Sequence, residues 1–269
     1  GIGAVLEGPI GSKKKGSWLF SANRSYLDLI FNAAGFGFVP EYTSAQLKAV
    51  YDFDQKNSLA VNLWENLDKV RFNNDDEEDK QDNEDILQNN QKGYVNSYEF
   101  KSVLSANSVL KLNLGRTYTK FDYSGRDSLF TEIFSNNTTE GNTTLKAEYL
   151  VFPSGSTQIE TGAGWTFVNS NSDILRVADT TYFVDDQTGS RYVLPDLDIN
   201  TDLKPGKAFA YAQLSQVFLG NFRLNVGARY DYFSAISNKN YFSPRASVVY
   251  NATPKLNFSL GYGIFYQSP

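Results

Sequence analysis

Between positions 222 and 232 the chain alternates without a break. Phe222, Leu224, Val226, Ala228, Tyr230 and Tyr232 are apolar or aromatic, and Arg223, Asn225, Gly227, Arg229 and Asp231 between them are polar or glycine. Successive side chains of a strand point to opposite faces, so this segment predicts a strand with one greasy face and one charged face. A tilted strand needs about 9–11 residues to cross a bilayer, with aromatics at both interfaces. Strands in soluble proteins run about 5–6 residues. The same period of two recurs at 45–53, 145–151, 159–167, 242–250 and 256–266.

Taken along the whole chain, the pattern predicts about twelve strands, near 1–7, 17–30, 42–53, 58–72, 94–105, 109–124, 142–152, 158–171, 207–219, 222–234, 241–251 and 256–267. Short connections at 8–16, 54–57, 106–108, 153–157, 220–221 and 252–255 are rich in Gly, Pro, Asn and Asp, which suits tight hairpin turns. Long connections near 31–41, 73–93, 125–141, 172–206 and 235–240 alternate with them. Segregation of loop length is expected of an outer-membrane barrel, whose turns are short on the periplasmic side and whose loops are long outside. The fold class read from this is all-β: an antiparallel up-and-down transmembrane β-barrel fragment, with residues 1–269 forming one partial barrel domain. Within 172–206, strand-like pieces at 181–184 and 190–194 flank a turn at 185–189 and predict a hairpin.

The wet faces carry Lys48, Asp52, Lys111, Asn113, Lys146 and Glu148, then Gln158, Glu160, Arg223, Asn225, Arg229 and Asp231. Buried charges need partners or water. These residues therefore predict a wide, wet lumen, or one filled by another polar domain. Gly162, Gly164, Gly261 and Gly263 sit at period two on strands and read as small lumen-facing or barrel-bending positions, not as a dinucleotide loop.

Mean hydropathy is −0.40, which averages the two faces and says little about a β-barrel. Aromatics reach 15%, mostly 17 Tyr and 20 Phe, as interfacial girdles require. The absence of Cys and His removes thiolate sites, the commonest general base and the commonest metal ligand. No nucleophile motif, zinc pattern or phosphate loop occurs, so no catalytic, cofactor or metal residue is nominated, and the expectation is a protein that is not an enzyme. A net charge of −5 with no basic stripe argues against nucleic acid. The acidic run of 73–93 reads as a solvated loop, with cation capture the sharper reading.

Glu7-Gly8-Pro9-Ile10, the Lys-Gly turn at 13–16 and the stretch from Trp18 to Ile30 resemble early barrel strands of TonB-dependent outer-membrane receptors of the Bacteroidota kind. Phe209-Ala-Tyr-Ala-Gln-Leu214, the stretch from Asn225 to Tyr232, Ser243-Pro-Arg245 and the stretch from Gly261 to Pro269 resemble later strands of the same family. The resemblance implies a barrel of the 22-stranded type with a plug, in the outer membrane of a Gram-negative bacterium. It further implies ligand uptake driven by a TonB-type energy-coupling complex through that plug. The implied partners are outer-membrane lipid and a nutrient of the siderophore, vitamin, oligosaccharide or peptide class. This chain shows no plug, so the expectation is a partial barrel with open edges. Two other readings stand beside it: a passive porin-like outer-membrane channel and a soluble β-rich adhesin or binding module.

Overall fold

The computed structural model describes residues 1–11, 13–72, 80, 83, 86–127, 131–184 and 191–267, the last set without side chains at 191–194 and the one before it without side chains at 179–184. A single antiparallel meander runs through β1 (Ile2–Ile10), β2 (Gly16–Arg24), β3 (Phe38–Asp52), β4 (Asn57–Phe72), β5 (Gln88–Ser105), β6 (Ser108–Arg126), β7 (Glu132–Ser154) and β8 (Thr157–Arg176). It continues through β12 (Gly206–Phe218), β13 (Phe222–Phe233), β14 (Asn240–Thr253) and β15 (Leu256–Gly263). The long connection between β8 and β12 holds β9 (Asp179–Val184) and β10 (Arg191–Leu194), which pair with each other, and β11 (Leu197–Leu203), which pairs with β8. Strand neighbours are sequence neighbours along the path except where β8 pairs with β12 across the β9–β11 connection, which keeps the sheet up-and-down and antiparallel. In the described sheet β1 and β15 each pair on one side only.

Almost nothing in this sheet is interior. Among the described residues only Val39, Pro40 and Phe233 are buried apolar side chains, while Leu260 and Tyr262 are 79% and 77% exposed. A soluble sandwich hides one face of each sheet against another layer. Here the ladder hydrogen bonds hold the strands together, and the apolar face awaits a solvent that is itself apolar.

Aromatics mark the height of that face. Phe218, Phe222 and Tyr250 stack in a row near the short-turn end, with ring centroids 5.4 and 4.5 Å apart. Trp165 contacts Phe167 at 6.0 Å and Tyr232 at 6.5 Å near the other end. Phe222 and Tyr232 are separated by ten steps of a strand. At a rise of about 3.3 Å and a tilt of about 40° that separation is about 25 Å, the height of an outer-membrane apolar band.

Several expected boundaries move. The strand expected at 17–30 ends at Arg24, and helix α1 (Leu27–Ala34) follows. Leu27, Ile30, Phe31 and Ala34 fall at i, i+3, i+4 and i+7, a helical stripe that the shorter alternation had masked. The first four residues of the connection expected at 31–41 are therefore helical, and β3 begins at Phe38. Strand β5 begins at Gln88, so the connection expected at 73–93 is shorter. Most of the connection expected at 125–141 is strand, because β6 reaches Arg126 and β7 starts at Glu132. Asn136, Asn137, Thr138 and Thr139 are polar on both faces, so no apolar contrast announced the strand there. With 18 to 23 residues, β5 to β8 exceed the about 9–11 needed to cross a bilayer and continue beyond it. The hairpin expected within 172–206 is present as β9 and β10, and its turn at 185–189 lies outside the described residues.

The short turns are locally built. Asp54 accepts the backbone N–H of Lys56 at 2.7 Å and of Asn57 at 2.8 Å, and the Asn57 side chain also donates to it. These hydrogen bonds, led by the Asn57 side chain, hold the Asp54 carboxyl below its ordinary value. A lowered folded value means that the turn is stabilised above pH 3.8 and loses that stabilisation as pH falls through the lower folded value. Amide exchange at Lys56 and Asn57 is expected to accelerate over that acid window in the native protein and to be fast already at neutral pH in Asp54→Ala.

Leu219 and Gly220 between β12 and β13 have φ of 51° and 72°, the left-handed pair that twists with a hairpin. Leucine in this conformation costs about 1–2 kcal/mol, and asparagine tolerates it better. Leu219 is 83% exposed, so its side chain contributes no packing in return. Leu219→Asn is expected to stabilise the fold by about 0.5–1 kcal/mol, read as a higher denaturant midpoint of the full-length protein refolded in detergent.

Candidate functional site

Strand registers carry each face across the sheet. One row of aligned residues runs Asp52, Ser58, Lys101, Lys111, Glu148, Gly162, Tyr211, Arg229, Ser243. The adjacent row, one residue away on every strand, runs Tyr51, Leu59, Phe100, Leu112, Ala147, Ala163, Ala210, Tyr230, Phe242. At this level one face is thus polar and the other apolar across nine strands. All the lumen residues expected from the alternation, from Lys48 to Asp231, fall on the polar face.

That polar wall is organised around glycines. A Cβ at Gly162 would lie 2.5 Å from the Tyr211 ring, and one at Gly164 would lie 2.6 Å from the Phe209 ring. These glycines are small lumen-facing positions as expected, but they are not open: the aromatic side chains of β12 lie flat on β8 above them. Tyr211 is thereby placed with its hydroxyl donating to Glu148 at 2.6 Å and lying 3.0 Å from Glu160. One hydroxyl proton serves one carboxylate at a time. Lys146 holds the same Glu148 oxygen at 2.8 Å.

Nearer the long-connection end, Arg229 grips Asp231 through Nε and Nη2 at 2.8–3.0 Å, and its guanidinium carbon lies 4.3 Å over Phe209. Lys207 lies 4.4 Å over Phe233. Both partners of the arginine pair keep about a third of their side-chain exposure, which limits the pair to about 1 kcal/mol or less of stability. Its consequence is placement: the guanidinium is fixed flat against an aromatic ring. Lys207, Phe209, Arg229, Asp231, Tyr241 and Arg245 are among the residues lining a recess of about 640 Å³ on this face. Three cations against one carboxylate make it an anion-favouring surface, and guanidinium forks match carboxylate, hydroxamate or phosphate oxygens.

The alternation located Arg229 and Asp231 but not the aromatic partners Phe209, Tyr211 and Tyr241. A signal was present: Ala208, Ala210 and Ala212 occupy the other face of β12, which leaves its large rings on the lumen side opposite Gly162 and Gly164. Among the described residues no cluster of three or more Asp, Glu, His or Cys is arranged to hold a metal. The carboxylates of the acidic run, Asp75, Asp76, Glu77, Glu78, Asp79, Asp82, Glu84 and Asp85, lie outside the described residues, and with them the cation-capture reading. Asn83 of that run donates to the Gly37 carbonyl at 2.7 Å, in the connection after α1.

A family model described as TonB dependent receptor-like, beta-barrel, matches residues 17–269. The chain belongs to the TonB-dependent receptor β-barrel family. Such barrels lie in the outer membrane of Gram-negative bacteria, so the apolar row faces lipid and the polar row faces the lumen. A sequence search of curated proteins finds no match. Among solved structures, the ferripyoverdine receptor of the Pseudomonas aeruginosa outer membrane superposes with a TM-score of 0.70 at 11% identity over 97% of this chain and 40% of its own. The outer membrane transporter YddB from Escherichia coli gives 0.64 at 13% identity, covering 97% of this chain and 37% of its own. The ferric preacinetobactin receptor BauA from Acinetobacter baumannii gives 0.61 at 12% identity, covering 96% and 44%. At these identities the likeness is one of fold. The chain spans about two fifths of the length of each, and the relatives are transporters and receptors, not enzymes.

Proposed function

We propose that residues 1–269 form one stretch of the barrel wall of an active uptake receptor, with the long-connection end outside the cell and the short turns in the periplasm. The observation that carries this reading is the cationic, aromatic recess of Lys207, Phe209, Arg229 and Arg245 at the long-connection end of the lumen. It stands where an incoming ligand would meet the wall. Of the siderophore, vitamin, oligosaccharide and peptide classes, the charge balance favours an anionic ligand such as a ferric siderophore. Two of the superposed proteins are receptors for ferripyoverdine and ferric preacinetobactin, which agrees with this choice. The receptor's work is transport, and its energy comes from a TonB-type periplasmic complex acting through a plug. Uptake of a radiolabelled ferric siderophore by cells expressing the full-length receptor tests both parts. It should stop when the coupling protein is deleted or the proton gradient is collapsed. Uptake that continued unchanged would favour the passive channel.

A further inference from the structure

We infer that the lipid face of β5 to β8 binds one phosphorylated glycolipid of the outer leaflet, with cations above for its phosphate and an apolar groove below for an acyl chain. The inference uses the orientation proposed above and concerns the opposite face of the wall from the ligand recess.

The cations come from the registers. Lys92 and Lys120 are direct cross-strand partners on β5 and β6, and Arg116 and Lys120 share the outward face of β6. Like charges directly opposite on a sheet destabilise it. Lys120 has Asp122 at 3.6 Å, but Lys92 makes no hydrogen bond or ion pair with a described residue. Arg116 donates from Nε to the Tyr94 hydroxyl at 3.1 Å and from Nη1 to Thr143 at 2.6 Å, with no carboxylate among its partners. A guanidinium has five N–H donors, so the remaining ones are free for an anion. Gly141 leaves room beside it: a Cβ there would lie 3.6 Å from Nη2. The other outward carboxylate nearby is Glu65, paired with Tyr94 in the ladder, and the set stays net positive.

The level is fixed by aromatics. Tyr94 and Tyr118 stack at 5.2 Å on the same outward face, between Arg116 and the lysine pair. Tyr118 stands ten residues from the start of β6, the same separation as Phe222 to Tyr232. The cations therefore bracket the outer interface, where lipid phosphates lie.

The groove is a separate observation. Immediately below Arg116 and Thr143, Tyr98, Leu112, Leu114, Leu145 and Trp165 rise around a floor of Ala147 and Ala163, enclosing about 630 Å³ on the lipid face. A cationic rim over an apolar trough matches a lipid with a phosphorylated head, and neither free phosphate nor a plain hydrocarbon would use both.

The test uses the full-length receptor in detergent and native mass spectrometry with defined probes. Bisphosphorylated lipid A should be retained, and dephosphorylated lipid A and phosphatidylglycerol should be retained weakly or not at all. Inorganic phosphate should not compete. Replacing Lys92, Arg116 and Lys120 together with Gln should weaken retention roughly tenfold or more, given the attraction of each basic residue for anionic headgroups. Ala147→Trp fills the trough from an exposed position, keeps every charge, and should weaken it independently. Equal retention by wild type and both variants, or equal retention of the dephosphorylated lipid, would overturn the inference. Energy-dependent ligand uptake would be untouched by that result, so the two readings fail separately.

Discussion

Replacing Val226 with arginine is expected to destabilise the barrel by about 2–4 kcal/mol, the cost of a charge near the bilayer midplane on a lipid-facing strand. Val226 is 44% exposed in the bare chain and sits midway between the two aromatic ends of β13. Were that exposure to water, arginine there would change stability by no more than about 0.5 kcal/mol, as for ordinary surface sites. The control lies on the other face. Gln213 on β12 is aligned with Gly227, next to Val226, and lines a lumen recess of about 480 Å³. Gln213→Arg is expected to cost under about 0.5 kcal/mol, because the new charge enters a wet lumen with room for it. Denaturant titration of the full-length receptor refolded into lipid vesicles measures both. Similar costs at the two positions would mean that the faces do not differ in solvent.

Gly164→Val should disrupt the lumen wall more than Gly162→Ala. A Cβ at Gly164 meets the Phe209 ring at 2.6 Å and the Leu145 backbone carbonyl at 2.8 Å. The ring can rotate away, but a carbonyl in a sheet ladder cannot move without breaking its strand. At Gly162 the three nearest atoms all belong to the Tyr211 side chain, which can swing aside. Overpacking of the Gly164 kind costs about 1–3 kcal/mol. It also lifts Phe209 from beneath Arg229, so ligand affinity should fall even under conditions where the barrel stays folded. Gly162→Ala should leave the fold intact and release Tyr211 from Glu148. Tyrosine fluorescence and the denaturant midpoint of each variant separate the two outcomes. An unchanged midpoint for Gly164→Val would contradict the close packing over Gly164.

Faces were legible in the sequence because a two-residue period survives any shift of strand ends. Lys48, Glu148 and Arg229 reached the lumen side on that basis alone. Ends were less legible wherever the contrast between faces vanished. Above the membrane β7 is polar on both sides around Asn136 to Thr139, so its strand looked like loop. The helix after β2 was hidden for the opposite reason, since Leu27, Leu29 and Phe31 also fit a strand. The recess was half visible. Its charges follow from alternation, whereas the flat seating of Phe209 and Tyr211 depends on a register that aligns β12 with Gly162 and Gly164 on β8. Register is a long-range property that no local pattern carries.

The central claim is that alternate residues of one strand meet lipid and an aqueous lumen. The chain contains no cysteine, so single cysteines placed along 222–232 can each carry a nitroxide without removing a native thiol from this segment. Power-saturation spectroscopy of the full-length receptor in lipid vesicles then reads each site's access to oxygen, which concentrates in lipid, and to a water-soluble nickel chelate. The account predicts a period of two: oxygen access at Leu224, Val226, Ala228 and Tyr230, and nickel access or protection from both at Asn225, Gly227 and Arg229. Nickel access at both sets, with no alternation, would contradict it.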